Sequence, residues 1–180
     1  MYETTGKINY LNDAIKTMEK TWDLFHDKKN KILQKNPVNQ NDLFFPPSDI
    51  NDHNIPNGNS IFLMNCKKLE VITGEEKWKN INKELIQSFH AFLNLHSSQM
   101  VSYIKTLNMC EQLTTFTFFG NFEKYNEIHN YVKNKYLKYS VLIYKNESKD
   151  DYLIVCKNQT CSNKIKTLEE LKSIENNYVI

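Results

Sequence analysis

The sequence predicts an α+β protein, with α/α hairpins over residues 1–110 and a small α/β unit of about three strands over residues 111–180. Three observations lead there. Apolar residues recur at intervals of three and four through the first part. The pairs Thr5-Gly6 and Thr73-Gly74 each precede an aromatic residue, Tyr10 or Trp78, and an amphipathic stretch; the echo is spaced by roughly 70 residues, as in a repeated helical hairpin. After Cys110 the composition changes to β-branched and aromatic runs, which suit strands.

In chain order, Thr5-Gly6 reads as the end of a short helix, because glycine accepts the left-handed position after a helix. Leu11, Ala14, Ile15, Met18, Trp22 and Phe25 form the stripe of a helix over residues 10–26, with Lys16, Glu19, Lys20 and Asp23 opposite. Residues 28–59 are polar and rich in turn formers, including Pro37, Pro46, Pro47 and Pro56; a loop of ~30 residues is long enough to be a flap or a functional segment. Leu43-Phe44-Phe45 are its expected anchor. A helix over 60–72 is apolar nearly all round and hence buried on several sides. Glu75 and Glu76 start the next helix, where the dipole favours acids, and Trp78, Ile81, Leu85, Phe89 and Phe92 form its inward stripe. Met100, Tyr103, Ile104 and Leu107 mark a helix over 97–109.

Residues 113–119 are a strand and Gly120-Asn121-Phe122 an ordinary turn, since no Gly-x-Gly-x-x-Gly accompanies it. Tyr125, Ile128 and Val132 carry a helix to about residue 136, Val141–Tyr144 a second strand, and Tyr152–Val155 a third. Strand–helix–strand implies a crossover joining parallel strands. Thr167-x-x-Glu170 is a capping box opening a last helix.

Composition limits the function. Of 180 residues 40% are hydrophobic, 24% charged and 12% aromatic, enough for a real core. Net charge is +2 and every basic side chain is lysine. Without a basic field or guanidinium forks, nucleic-acid binding is not expected. No apolar run reaches the length of a membrane span, and the start lacks the regions of a signal peptide. A cytoplasmic, reducing setting is therefore expected.

The most concentrated polar stretch is Asp52-His53-Asn54-Ile55-Pro56-Asn57-Gly58-Asn59-Ser60, directly before Ile61-Phe62-Leu63-Met64. One reading makes it a cleft wall, with Asp52 as general acid or base and Asn57, Gly58, Asn59 and Ser60 binding substrate hydroxyls. The other makes it a loop closure: Pro56-Asn57-Gly58 as a turn, Asn57 or Asn59 as helix cap, and Asp52 tied to backbone amides. His53 reads as a solvated loop residue, and His90 and His96 lack a matching acidic pattern. Cys66 and Cys110 fall in apolar helix patterns. Cys156-x4-Cys161 has no second ligand pair, so no metal is expected; its cysteines read as structural thiols or as a redox pair. Trp22 and Trp78 read as packing positions.

Four motifs, taken in order, carry a resemblance: Tyr2-Glu3-x-Thr5-Gly6 with Tyr10-Leu11; Asp52-x3-Pro56-Asn57-Gly58-Asn59-Ser60; Thr73-Gly74; and Tyr152-x3-Cys156-x4-Cys161 with Glu169-Glu170-Leu171. The ordered set resembles the C-terminal part of the thioredoxin-domain-containing proteins related to spermatogenesis-associated protein 20. That resemblance implies a partial six-hairpin toroid, part of an α/α barrel like those of six-hairpin glycosidases and N-acylglucosamine 2-epimerase-like proteins, ahead of a small α/β tail. It also implies a place in carbohydrate metabolism, with part of a carbohydrate-related cleft on this chain; no cofactor is expected. The family's thioredoxin-like domain and most of its hairpins have no counterpart here, so the chain resembles a fragment, and the expected partners are those missing portions or a chain supplying them. Pro46-Pro47-Ser48-Asp49 stand where the family often carries basic residues, and Lys164 where it tends to have proline. The alternative function is a non-catalytic scaffold or interaction module completing a larger barrel. Glycoside hydrolysis needs a second carboxylate across the pocket, and no motif position supplies one.

Overall fold

A computed structural model describes residues 1–39, 50–121, 126–135 and 139–178; of residues 94–96, 126, 176 and 177 it describes the backbone alone. The expected anchor Leu43-Phe44-Phe45, Pro46, Pro47, Phe122, Tyr125 and the His96 side chain lie outside that description. The protein is mixed α+β and divides into two compact units, Asn9–Cys110 and Met1–Ile8 with Glu111–Ile180. The first eight residues thus belong with the C-terminal unit, not with the hairpins that follow them in sequence.

In the helical unit, α2 (Ile8–Phe25) buries Leu11 and Met18 and half-buries Ile15, Trp22 and Phe25, whereas Ala14 of the expected stripe is exposed. (α1 is the short helix Tyr2–Thr5 of the other unit.) Where the polar composition predicts open loop, the chain forms an antiparallel ribbon, β1 (His26–Asp27) with β2 (Ile32–Leu33). Its cause is local. The Asp27 carboxylate accepts from Lys29 N at 2.9 Å, Asn30 Nδ2 at 2.6 Å and Gln34 Nε2 at 3.1 Å, an arrangement by which aspartate folds its own backbone into a turn. Lys31 completes the reversal at φ 56°.

Helix α3 (Gly58–Thr73) packs against α4 (Glu76–His96) as a hairpin. Phe62, Leu63, Cys66, Leu69 and Ile72 are buried, as the apolar composition requires, while Ile61 remains 38% exposed. Gly74 ends α3 at φ 73°, its N–H donating to the Glu70 carbonyl at 2.9 Å. In α4, Trp78, Leu85 and Phe89 are fully buried, and the expected stripe ends there, since Phe92 is exposed. A 3-10 turn (Ser97–Gln99) leads to α5 (Val101–Gln112). Tyr103 is buried against Phe89 with ring centroids 5.2 Å apart, and its hydroxyl donates to the Ile86 carbonyl at 3.2 Å. Ile104, on the expected apolar stripe, is exposed.

The C-terminal unit holds a four-stranded sheet of order β4-β3-β5-β6, formed by β3 (Thr114–Phe119), β4 (Ser140–Lys145), β5 (Tyr152–Lys157) and β6 (Thr160–Cys161). β3 pairs parallel with β4 across the connection carrying α6 (Asn126–Asn134), and antiparallel with β5. The fourth strand corrects the expectation of about three. It is two residues long, and its polar Thr160 gives no alternating pattern. Helix α7 (Leu168–Tyr178) begins with a reciprocal capping box: Glu170 N donates to Thr167 Oγ1 and Thr167 N to Glu170 Oε2, both at 3.2 Å. Phe116, Phe118, Ile128, Val132, Val141, Leu153, Val155 and Leu171 are all buried and make the core of this unit.

The N-terminal segment joins that core. Tyr144 N donates to Tyr2 Oη at 3.2 Å, and Tyr144 Oη donates to the Glu3 carbonyl at 2.7 Å. His129 Nε2 lies 2.9 Å from Tyr144 Oη. A hydroxyl has one proton to give; with that proton on Glu3, His129 is the donor and carries its hydrogen on Nε2. Burial, aided by the Lys133 charge, pushes the His129 pKa down, which keeps the ring neutral.

Candidate functional site

The stretch from Asp52 to Ser60 enters α3, and the side chains of Asp52, Asn57 and Asn59 are directed at the protein's own backbone. Asp52 Oδ1 accepts from Asn57 N at 2.9 Å and Asn57 Nδ2 at 3.2 Å; Oδ2 accepts from Ser102 N at 2.6 Å, at the start of α5. The Asp52 amide in turn donates to the Gln99 carbonyl at 2.6 Å. One residue thereby ties the loop to both its neighbours. Burial works to raise the carboxyl's pKa, but the hydrogen bonds from Ser102 and Asn57 outweigh it and hold the value below the usual 3.8. A general acid in glycoside chemistry needs the opposite shift. The geometry fits the tying role and gives Asp52 no free proton at neutral pH.

Asn57 is the N-cap of α3: Oδ1 accepts from Ser60 N at 2.9 Å, while Nδ2 donates to the Ile50 carbonyl at 3.0 Å. It is buried, as are Asn59 and Ser60. Asn59 Oδ1 accepts from Leu33 N at 2.8 Å and Nδ2 donates to Leu33 O at 2.9 Å. Its amide group thus serves β2 as an adjoining strand would. Among the described residues the Ser60 hydroxyl has no hydrogen-bond partner, and the Ser60 carbonyl lies 3.3 Å from Thr106 Oγ1. Thr106 has one proton and a nearer acceptor, the Ser102 carbonyl at 2.9 Å. Gly58 opens the helix in ordinary φ, and a Cβ there would meet no atom within 4 Å. His53 is exposed, as is His90.

The helical unit carries two recesses, of which the smaller touches the motif. Gly58 and Asn59 share a small one with Leu33, Gln34, Lys35 and Phe62, of about 200 Å³. That falls short of the ~300–1,000 Å³ of ordinary ligand pockets. A broader groove of about 520 Å³ runs between α2 and α4, lined by Glu19, Trp22, Asp23, Lys77, Trp78 and Asn80. Beside it stands a cluster absent from the sequence expectations. His26 Nε2 lies 2.8 Å from Glu84 Oε1, and the His26 ring stacks on Trp22 at 3.7 Å between centroids. Trp22 is half-buried, whereas Trp78 is fully buried and is a packing residue only. Only the i, i+4 spacing of Trp22 and His26 signals that pair, because Glu84 reaches it from another helix.

The cysteines divide in two. Cys66 is buried, which pushes its thiol pKa up and leaves it unreactive, and Cys110 is a half-buried thiol. Cys156 and Cys161 are joined as a disulfide across β5 and β6. The expectation of reduced structural thiols is corrected by the register, which sets the two residues directly opposite each other. No helix among the described residues is long and apolar enough to cross a membrane. Comparison with models of known families and with curated proteins finds no match for the chain.

Proposed function

We propose that the helical unit is a non-catalytic interaction module that docks with further helical hairpins, as the resemblance to six-hairpin barrels implies. The observation that carries this reading is the commitment of Asp52, Asn57 and Asn59 to intramolecular hydrogen bonds. Residues held this way shape a loop and cap a helix; substrate would have to displace bonds the fold uses. Exposed Ile61, Phe92, Val101 and Ile104 on α3, α4 and α5 give the unit apolar outward positions of the kind that neighbouring hairpins cover. The test is the full chain and Asp52→Asn, measured by thermal shift against neutral mono- and oligosaccharides and by urea denaturation. The expected result is no sugar-dependent stabilisation of the parent and a loss of about 1–3 kcal/mol in the variant, from the amide donors left poorly paired. A sugar-dependent rise in melting temperature that vanishes in an otherwise equally stable Asp52→Asn protein would overturn it.

A second reading, a carbohydrate-related cleft, is favoured by one observation: half-buried Trp22 lines the α2–α4 groove with Glu19, Asp23 and Asn80. The Trp22 ring stacks with His26 and Phe62, so a polyhydroxylated ligand would meet its edge beside the acidic and amide groups rather than an open ring face. On this reading Trp22→Ala abolishes sugar binding while Asp52→Asn does not, which separates the groove from the loop motif.

A further inference from the structure

The Cys156–Cys161 bond lies at the edge of the C-terminal sheet, and its surroundings give it little structural work. Cys156 shares with Tyr152 and Ile154 the half-buried face of β5, while Leu153 and Val155 fill the buried face. Cys161 is exposed, on the edge strand β6. The two are register partners at a two-residue turn whose residues Asn158 and Gln159 both take positive φ, 50° and 64°, the geometry of a tight hairpin. A cross-link over so short a loop removes less entropy from the unfolded chain than one closing a long loop, because that contribution grows with loop length.

The hairpin is also held without it. Ser162 N donates to the Val155 carbonyl at 2.8 Å, Val155 N donates to Ser162 Oγ at 3.1 Å, and Leu153 and Ile165 exchange two backbone bonds of 2.9 Å. The disulfide is therefore open on one side, is accompanied by other ties across the hairpin, and is placed where a nucleophile reaches one sulfur before the other.

We infer that Cys156–Cys161 is a thiol–disulfide exchange site that takes two electrons from a dithiol. A thiolate of the dithiol attacks the exposed Cys161 Sγ. A new S–S bond forms to Cys161, the Cys156–Cys161 bond breaks, and Cys156 leaves as thiolate. The second thiol of the donor, as thiolate, then attacks the donor sulfur bound to Cys161 and releases the Cys161 thiolate. The donor ends as its disulfide, and its two protons are balanced by those taken up at Cys156 and Cys161. Reduction leaves β6 attached by its hydrogen bonds and frees one exposed thiol.

The test uses the full chain under native conditions, with dithiothreitol as the dithiol, followed by alkylation and peptide mass spectrometry. The expected result is alkylation of both Cys156 and Cys161, with the far-ultraviolet circular dichroism and the amide exchange of β3 and β5 unchanged. In single-cysteine variants exposed to oxidised glutathione, the mixed disulfide at Cys161 in Cys156→Ser should form about tenfold faster than that at Cys156 in Cys161→Ser, since access limits the rate. Reduction only in denaturant, loss of sheet protection on reduction, or equal rates at the two sulfurs would each overturn the inference. The Cys156→Ser/Cys161→Ser double variant guards against a folding artefact: it should keep the parent spectrum, and its failure to fold would show the bond to be a structural staple.

Discussion

Asn59 does with one side chain what a neighbouring strand does with a backbone. Its carboxamide offers an acceptor and a donor with the spacing of a peptide group, and both meet Leu33. Asn59→Ala leaves the Leu33 N–H and C=O unpaired beside a new hole. Buried unpaired groups cost ~1–3 kcal/mol each, so a loss of about 2–5 kcal/mol in urea denaturation is expected. Asn59→Asp should be no better, since it keeps the acceptor but sets a carboxylate against the Leu33 carbonyl. Asp52 makes a different prediction. Its folded pKa lies below the ordinary 3.8, so its contribution is complete above that value and is lost as pH falls through the lower folded value. Below about pH 4 the stability of the parent should therefore fall more steeply than that of Asp52→Asn. Parallel slopes between pH 2 and 5 would show that Asp52 contributes no such term.

Two glycines show how elements make opposite demands on one residue type. Gly58 opens α3 with ordinary φ and clear space around it; Gly120 ends β3 at φ 79°, where a Cβ would meet the Asp150 carbonyl oxygen at 2.8 Å and the Asp151 carboxylate. That carboxylate also accepts from Asn121 N at 2.9 Å, which holds Gly120-Asn121 against it. Gly58→Ala is expected to change stability by less than ~1 kcal/mol, and upward if at all, because alanine restricts the unfolded chain more than glycine. Gly120→Ala should cost more than that, about 1–3 kcal/mol, from positive φ and contact together. Thermal denaturation of the two variants side by side decides the matter; equal effects would mean that the turn relaxes.

At the scale of the whole molecule, chain order and unit membership disagree. Residues 1–8 belong with residues 111–180, held by Tyr2 and Glu3 on Tyr144 and by the Glu3 carboxylate, which accepts from Leu142 N at 3.4 Å. Deleting residues 1–7 strips partners from Leu142 N–H and from the Tyr144 N–H and hydroxyl while the hairpins stay intact. Hydrogen exchange should then rise at Val141–Tyr144 and remain as before in α3 and α4. Uniform loss of protection throughout the chain would mean that the two units unfold as one.

Much of this fold was legible from residues alone, because its signals are local. Helix periodicity, the stops at Gly6 and Gly74, the capping box at Thr167 and Glu170 and the β-branched runs after Cys110 each act within a few residues of where they are written. The motif at Asp52–Ser60 was equally visible as a concentration of polar groups, and both its readings were available. Its partners were not. Ser102 lies 50 residues from Asp52, and Leu33 lies 26 from Asn59, and no spacing rule reaches that far. The fourth strand and the His26–Glu84 pair likewise depend on what packing brings alongside. The sequence by itself determined the main helices and the three longer strands, since backbone propensity and capping are short-range. Only the tertiary structure decided that Asp52, Asn57 and Asn59 are spent on the protein's own loop and backbone groups, because their partners lie on segments that meet only once the chain has folded.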